Sequence, residues 1–149
     1  MHYLHDFRSG DTIELGSLNI AADPALEFCR RFDPQRPFLD TAVRDPLYGG
    51  PVVSGWQLVV EVQSRLVREL MNQTAHHGVA GVSDIEFGPP VTAGTPLTAE
   101  FTVMGTADDR EHADRGDLFG RVEVTDDSGR TALSMLYRLS IGKKPPASL

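Results

Sequence analysis

At 149 residues, 40% apolar and 23% charged, the chain has the size and composition of one soluble globular domain, neither disordered nor fibrous. A formal charge of −7 supplies no basic face for a phosphate backbone, which argues against a nucleic-acid partner. The single cysteine, Cys29, cannot close an internal disulfide, no run approaches the ~18–20 apolar residues of a membrane helix, and the opening MHYLHDFRSGD lacks a signal peptide's apolar core. The expectation is a single domain, 1–149, in a reducing cytoplasm, with no membrane association.

In chain order, TIELGSLNI (12–20) partly alternates after Gly10 and Asp11, which predicts a first strand. AADPALEFCRRFDP (21–34) reads as a short helix. Asp23 can cap it, Pro24 suits its first turn, and Leu26, Phe28, Cys29 and Phe32 form an apolar stripe. Pro34 and Pro37 are expected to stop it, and a loop in which Asp40 and Asp45 cap turns leads to Gly49, Gly50 and Pro51.

The strongest helix pattern is SGWQLVVEVQSRLVRELMNQT (54–74). Trp56, Val59, Val62, Leu66 and Leu70 recur at three- and four-residue steps, widened by Leu58 and Met71. Ser54 and Gln57 fit a capping box, and Glu61–Arg65 and Arg65–Glu69 have the spacing of helical ion pairs. Beyond it GVSDIEFG (81–88), TPLTAEFTVMGTA (95–107), DLFGRVEVTDD (117–127) and TALSMLYRLSIG (131–142) read as strands, separated by turn-forming segments. In the last of these Leu133, Met135, Tyr137, Leu139 and Ile141 share one face, with Ala132, Ser134, Leu136, Arg138 and Ser140 on the other. One sheet and one broad helix stripe can bury each other, an α+β arrangement. The tail GKKPPASL (142–149) reads as loose end material.

Four stretches, HDFRSGDTIELG (5–16), EFCRRFDPQ (27–35), DPLYGGPVVSGW (45–56) and GVSDIEFGPPVTAGTPL (81–97), resemble in order and spacing the MaoC-like branch of the hot-dog fold, which includes the (R)-specific enoyl-CoA hydratases. The resemblance implies an antiparallel sheet wrapped around a long central helix. It also implies hydration or dehydration of acyl thioesters of coenzyme A or an acyl carrier protein, with no cofactor and no metal. Such a chain would form a homodimer through its sheet edges, or a heterodimer with a related hot-dog chain.

The family's reaction centre is an Asp and a His five residues later. A backbone N–H at the start of the central helix holds the thioester oxygen, where negative charge develops. Asp33 matches that Asp, followed by Pro34 and Gln35 as in the family, and Asp40 matches an acidic position beyond. Gly55 matches the oxygen-holding glycine, and Ser54 precedes it in the expected helix-start segment. Gln57 stands where close relatives often carry His. Tyr48 and Trp56 are expected as tunnel or core aromatics. At the His position this chain has Phe38, which has no titratable proton, so the two-residue centre cannot operate as it stands. Neither Arg36, Pro37 nor Leu39 repairs it by a one-residue shift, and His2, His5, His76, His77 and His112 lie in the terminus, after the long helix or in a charged turn. Asp33 has two readings, a loop cap and a carboxylate retained as acid or base. Three functions stay open: a hydratase-class enzyme with altered chemistry, such as dehydration, isomerisation or cyclisation of a carrier-bound, apolar or polyketide-like intermediate, a degenerate subunit beside an active partner, and a binding protein that kept the fold.

Overall fold

The computed structural model describes residues 1–43 and 46–148. Asp45 and the last residue of the tail thus lie outside the described residues. Its elements are β1 (Thr12–Leu18), α1 (Ala22–Phe32), α2 (Arg36–Leu39), β2 (Val52–Val53), α3 (Gly55–Glu69), β3 (His76–Phe87), β4 (Val91–Thr92), β5 (Leu97–Asp108), β6 (Arg115–Asp126) and β7 (Thr131–Gly142).

The strands β5, β6 and β7 alternate cleanly. Leu97, Ala99, Phe101 and Val103 are buried on β5, while Thr98, Glu100 and Met104 face out. Pairing carries this pattern across the sheet, since Phe101 lies opposite Val122 and Val122 opposite Met135. All pairings are antiparallel, in the order β1-β5-β6-β7-β3, with β2 and β4 forming a separate small pair. Against the apolar face lies α3, burying Leu58, Val62 and Leu66. The α+β arrangement expected from the patterning is thus present: a five-stranded antiparallel sheet wraps one long helix.

Several local expectations change. α1 begins after Ala21, with Asp23 in its first turn rather than at the cap, and its buried residues are Ala25 and Cys29, while Phe32 is exposed. Pro37 does not stop a helix but sits in the first turn of α2, where its missing N–H costs nothing. Trp56, expected in the helix stripe, is 51% exposed, because the stripe that meets the sheet runs through Leu58, Val62 and Leu66. Ser54 does cap α3, its hydroxyl accepting from the Trp56 N–H at 3.2 Å. Gln57 does not complete the capping box: its buried Oε1 has no hydrogen-bond partner among the described residues. No ion pair forms at Glu61–Arg65 or Arg65–Glu69 among the described residues; the Arg65 guanidinium instead lies against Gly16 on β1.

β3 starts at His76, five residues before the apolar pattern does, because its polar opening HHG is paired with β7 rather than buried. Ala132, placed by alternation on the wetter face of β7, is buried, and its carbonyl accepts from the Gly88 N–H. In the loop before β2, Asp40 does cap a turn, accepting from the Ala42 N–H at 2.9 Å.

Candidate active site

The site forms where α1 ends and α3 begins. Cys29 pins the two together: its buried thiol points to the Val52 carbonyl at 3.9 Å, and Val52 precedes Ser54 by two residues. Burial pushes that thiol's pKa up, with Asp33's charge adding to the shift and a backbone hydrogen bond from Ser54 opposing it, so Cys29 stays protonated packing rather than a nucleophile.

Asp33 is the C-cap of α1, its N–H donating to the Cys29 carbonyl at 3.1 Å. Both of its carboxylate oxygens are engaged. Ser54 Oγ donates to Oδ2 at 2.6 Å, and Gln35 Nε2 donates to Oδ1 at 2.9 Å. The fully buried Ser54 hydroxyl therefore holds the carboxylate while also accepting from the helix's second N–H. One oxygen ties the loop to the helix start. The Gly55 N–H, first donor of α3, has no acceptor among the described residues, as expected for a helix N-terminus.

Asp33, Gln35, Phe38, Gly55, Trp56 and Phe87 line a cavity of about 210 Å³. The remaining walls are aliphatic, glycine and proline, and among the described residues Asp33 is the one ionisable side chain in the lining. α2 turns the half-buried Phe38 into the wall, its N–H bonded to the Gln35 carbonyl at 2.9 Å. Gly55 has no space for a side chain, since a Cβ there would run into the Phe87 ring. Phe87 meets Trp56 edge-on, ring centres 5.3 Å apart, and both are about half exposed.

The structure therefore brings together Asp33, Phe38, Gly55 and Trp56, with Ser54 directly behind. It does not bring in Tyr48 or Gln57. Tyr48 is outside the lining and its carbonyl accepts from Thr92 Oγ1, and Gln57 is 7% exposed, facing the protein interior. None of the five histidines lines the cavity; His112 pairs with Asp109 at 3.4 Å in the β5–β6 hairpin. Sequence reasoning meets Gln35 only as part of the motif after Asp33, with no role at the site, and does not single out Phe87. Gln35 stands two residues from Asp33, a spacing that permits a side-chain bond but does not single it out, and Phe87 reaches the site only through the path of β3.

A larger hollow of about 540 Å³ lies on the sheet face opposite α3, against Val82, Met104, Phe119, Leu136 and Arg138. Its ionisable lining residues among those described are Arg138, paired with Asp117 at 3.4 Å, and Tyr137, whose hydroxyl donates to Gln63 on α3 and whose pKa burial pushes up to about 12, so neither is poised for acid–base work near neutrality. Size does not locate the chemistry here.

An antiparallel sheet wrapped around one long helix is the hot-dog fold. The MaoC-like dehydratase of Rhodospirillum rubrum matches with a TM-score of 0.84 at 23% identity, over 98% of this chain and 100% of that one. The (R)-hydratase of A. caviae involved in PHA biosynthesis matches at 0.68 and 21% identity, over 93% of this chain and 98% of that one. A chain of the HadBC (3R-hydroxyacyl-ACP dehydratase) complex of Mycobacterium tuberculosis matches at 0.63 and 18% identity, over 89% and 96%. At such identities the likeness establishes the fold. No family model and no curated protein sequence matches the chain.

Proposed function

We propose that this chain is an acyl-thioester enzyme of the hydratase/dehydratase class with an altered centre, its substrate carried on coenzyme A or an acyl carrier protein. The observation that carries this reading is the shared Ser54 hydroxyl. It holds the Asp33 carboxylate at 2.6 Å and caps the helix whose first residue, Gly55, lines the same cavity. A base and an oxyanion donor are thereby held in a fixed relation, which carbon-acid chemistry next to a thioester needs. The apolar remainder of the cavity suits an apolar acyl chain, a polyketide-like intermediate among them, and Phe38 and Trp56 would pack against it.

The test is a structure of the protein with a non-hydrolysable acyl-thioester analogue. Its carbonyl oxygen is expected within hydrogen-bond distance of the Gly55 N–H, with Cα beside Asp33. A chain that bypasses both would end this reading.

A second copy of the chain is the proposed partner. β3 is an edge strand carrying Val79, Val82 and Phe87 at 39–46% exposure, and beside its end α3 presents Trp56 and Val60. Unpaired edges invite strand addition. Phe38 in place of a base favours one other reading, a degenerate subunit paired with an active hot-dog chain. HadBC is by its description a complex, so partnership between such chains has precedent. Light scattering separates the two: a homodimer supports the first, and a lone monomer that dimerises with a histidine-bearing relative supports the second.

A further inference from the structure

We propose that this centre performs a one-base allylic proton shift, interconverting β,γ- and α,β-unsaturated acyl thioesters, instead of adding or removing water. The inference rests on the thioester reading above and names its reaction. Addition of water needs, besides a group that takes its proton and returns one to Cα, a water molecule held beside Cβ by polar groups. Among the described residues the cavity has one carboxylate, and its neighbours on the wall include Phe38, Trp56 and Phe87. Of the side-chain donors at hand, Ser54 Oγ gives its one hydrogen to Asp33 and Gln35 Nε2 gives one of its two, so a single side-chain N–H is left to meet a water.

A 1,3-proton shift needs only what is present. The Asp33 carboxylate takes the proton from Cα of a β,γ-enoyl thioester. The C–H electron pair enters the conjugated system, and the resulting dienolate places its negative charge on the thioester oxygen, opposite the Gly55 N–H. The protonated Asp33 then returns the same proton to Cγ while the double bond moves to the α,β position. The carboxylate is regenerated, nothing is oxidised, and no water is consumed. Two hydrogen bonds, one to each oxygen, hold the carboxylate plane still, so a single group can serve both carbons on one face of the substrate. Each oxygen keeps a second acceptor site for the proton in transit.

The experiment uses the full chain with trans-3-hexenoyl-CoA and crotonyl-CoA, followed by the absorbance of the conjugated enoyl thioester and by product mass, with calorimetric binding of both. Expected are conversion of the 3-enoyl to the 2-enoyl thioester, partial retention of the migrating hydrogen in D2O, and little hydration of crotonyl-CoA. Asp33→Asn should lower the isomerisation by at least ~100-fold, the usual lower bound for a lost general base, with binding kept. Asp33→Glu, which keeps a carboxylate one methylene away, should retain part of the rate, which separates lost chemistry from lost folding. Hydration of crotonyl-CoA without isomerisation would overturn the inference and leave the thioester reading standing, as would binding of both thioesters with no reaction of either. Failure of both to bind, and of the same acyl groups presented on an acyl carrier protein, would overturn the reading beneath it as well.

Discussion

Replacing Ser54 by alanine removes two hydrogen bonds made by one fully buried oxygen. The bond to Asp33, 2.6 Å long and accepted by a carboxylate, belongs to the charge-assisted kind worth about 1.5–3 kcal/mol. The cap on the Trp56 N–H, longer at 3.2 Å, contributes about 1 kcal/mol. The two share an oxygen and do not add in full, so the expected loss is roughly 2–3 kcal/mol. At ~2–4 °C per kcal/mol for a domain of this size, the melting temperature should fall by about 4–12 °C. Urea unfolding followed by circular dichroism, at one protein concentration, measures the loss directly. A cycle with Asp33→Ala isolates the Ser54–Asp33 coupling, expected near 1 kcal/mol or more. A Ser54→Ala variant within ~0.5 kcal/mol of the parent, with no coupling in the cycle, would refute the claim that this hydroxyl joins loop to helix.

Other expectations concern the scaffold. Asp126 closes the β6–β7 turn, accepting from the Ser128 hydroxyl at 2.6 Å and from the Ser128 and Arg130 N–H groups, and these hold its pKa down to about 2, the Ser128 hydroxyl most of all. A folded value below the unfolded one, ~4, means its stabilisation is present in full above pH ~4 and is lost as pH falls through about 2. Unfolding midpoints measured from pH 6 to 2 should therefore fall more steeply for the parent than for Asp126→Asn. Gly120→Ala would drive a methyl into the Phe101 ring, which is fully buried and has nowhere to swing; a loss of ~1–3 kcal/mol is expected in chemical denaturation. Leu66→Ala, at the centre of the helix–sheet contact, should cost about 2–5 kcal/mol by the same measurement. Phe38→Ala should leave stability within ~1 kcal/mol, since that ring is only half-buried, while changing which acyl thioesters bind by calorimetry.

Much of the architecture is readable along the chain because its causes are local. Alternation in TPLTAEFTVMGTA and TALSMLYRLSIG is repeated every second residue, and each repeat is an independent vote for one sheet face. The three- and four-residue spacing of Leu58, Val62 and Leu66 has the same redundancy, so a stripe survives even though Trp56 turns out of it. Asp33, Phe38 and Gly55 could be picked out as a candidate centre from a resemblance borne by short motifs.

What held no local signal was decided by chain segments meeting in space. That Ser54, besides accepting from the Trp56 N–H, donates its hydroxyl hydrogen to Asp33 depends on Cys29 docking α1 beside β2, a contact 23 residues long in sequence. Phe87 became a wall of the cavity, its ring resting where a Gly55 Cβ would stand, only because β3 runs along β7 and ends over the start of α3. The polar HHG became strand because an edge needs backbone pairing and no burial, and apolar periodicity registers burial alone. Patterns that repeat, each bounded by the pitch of one element, are written in the sequence. A site built from three short stretches, around Asp33, Gly55 and Phe87, has no period to betray it, and its geometry follows only once the core has closed.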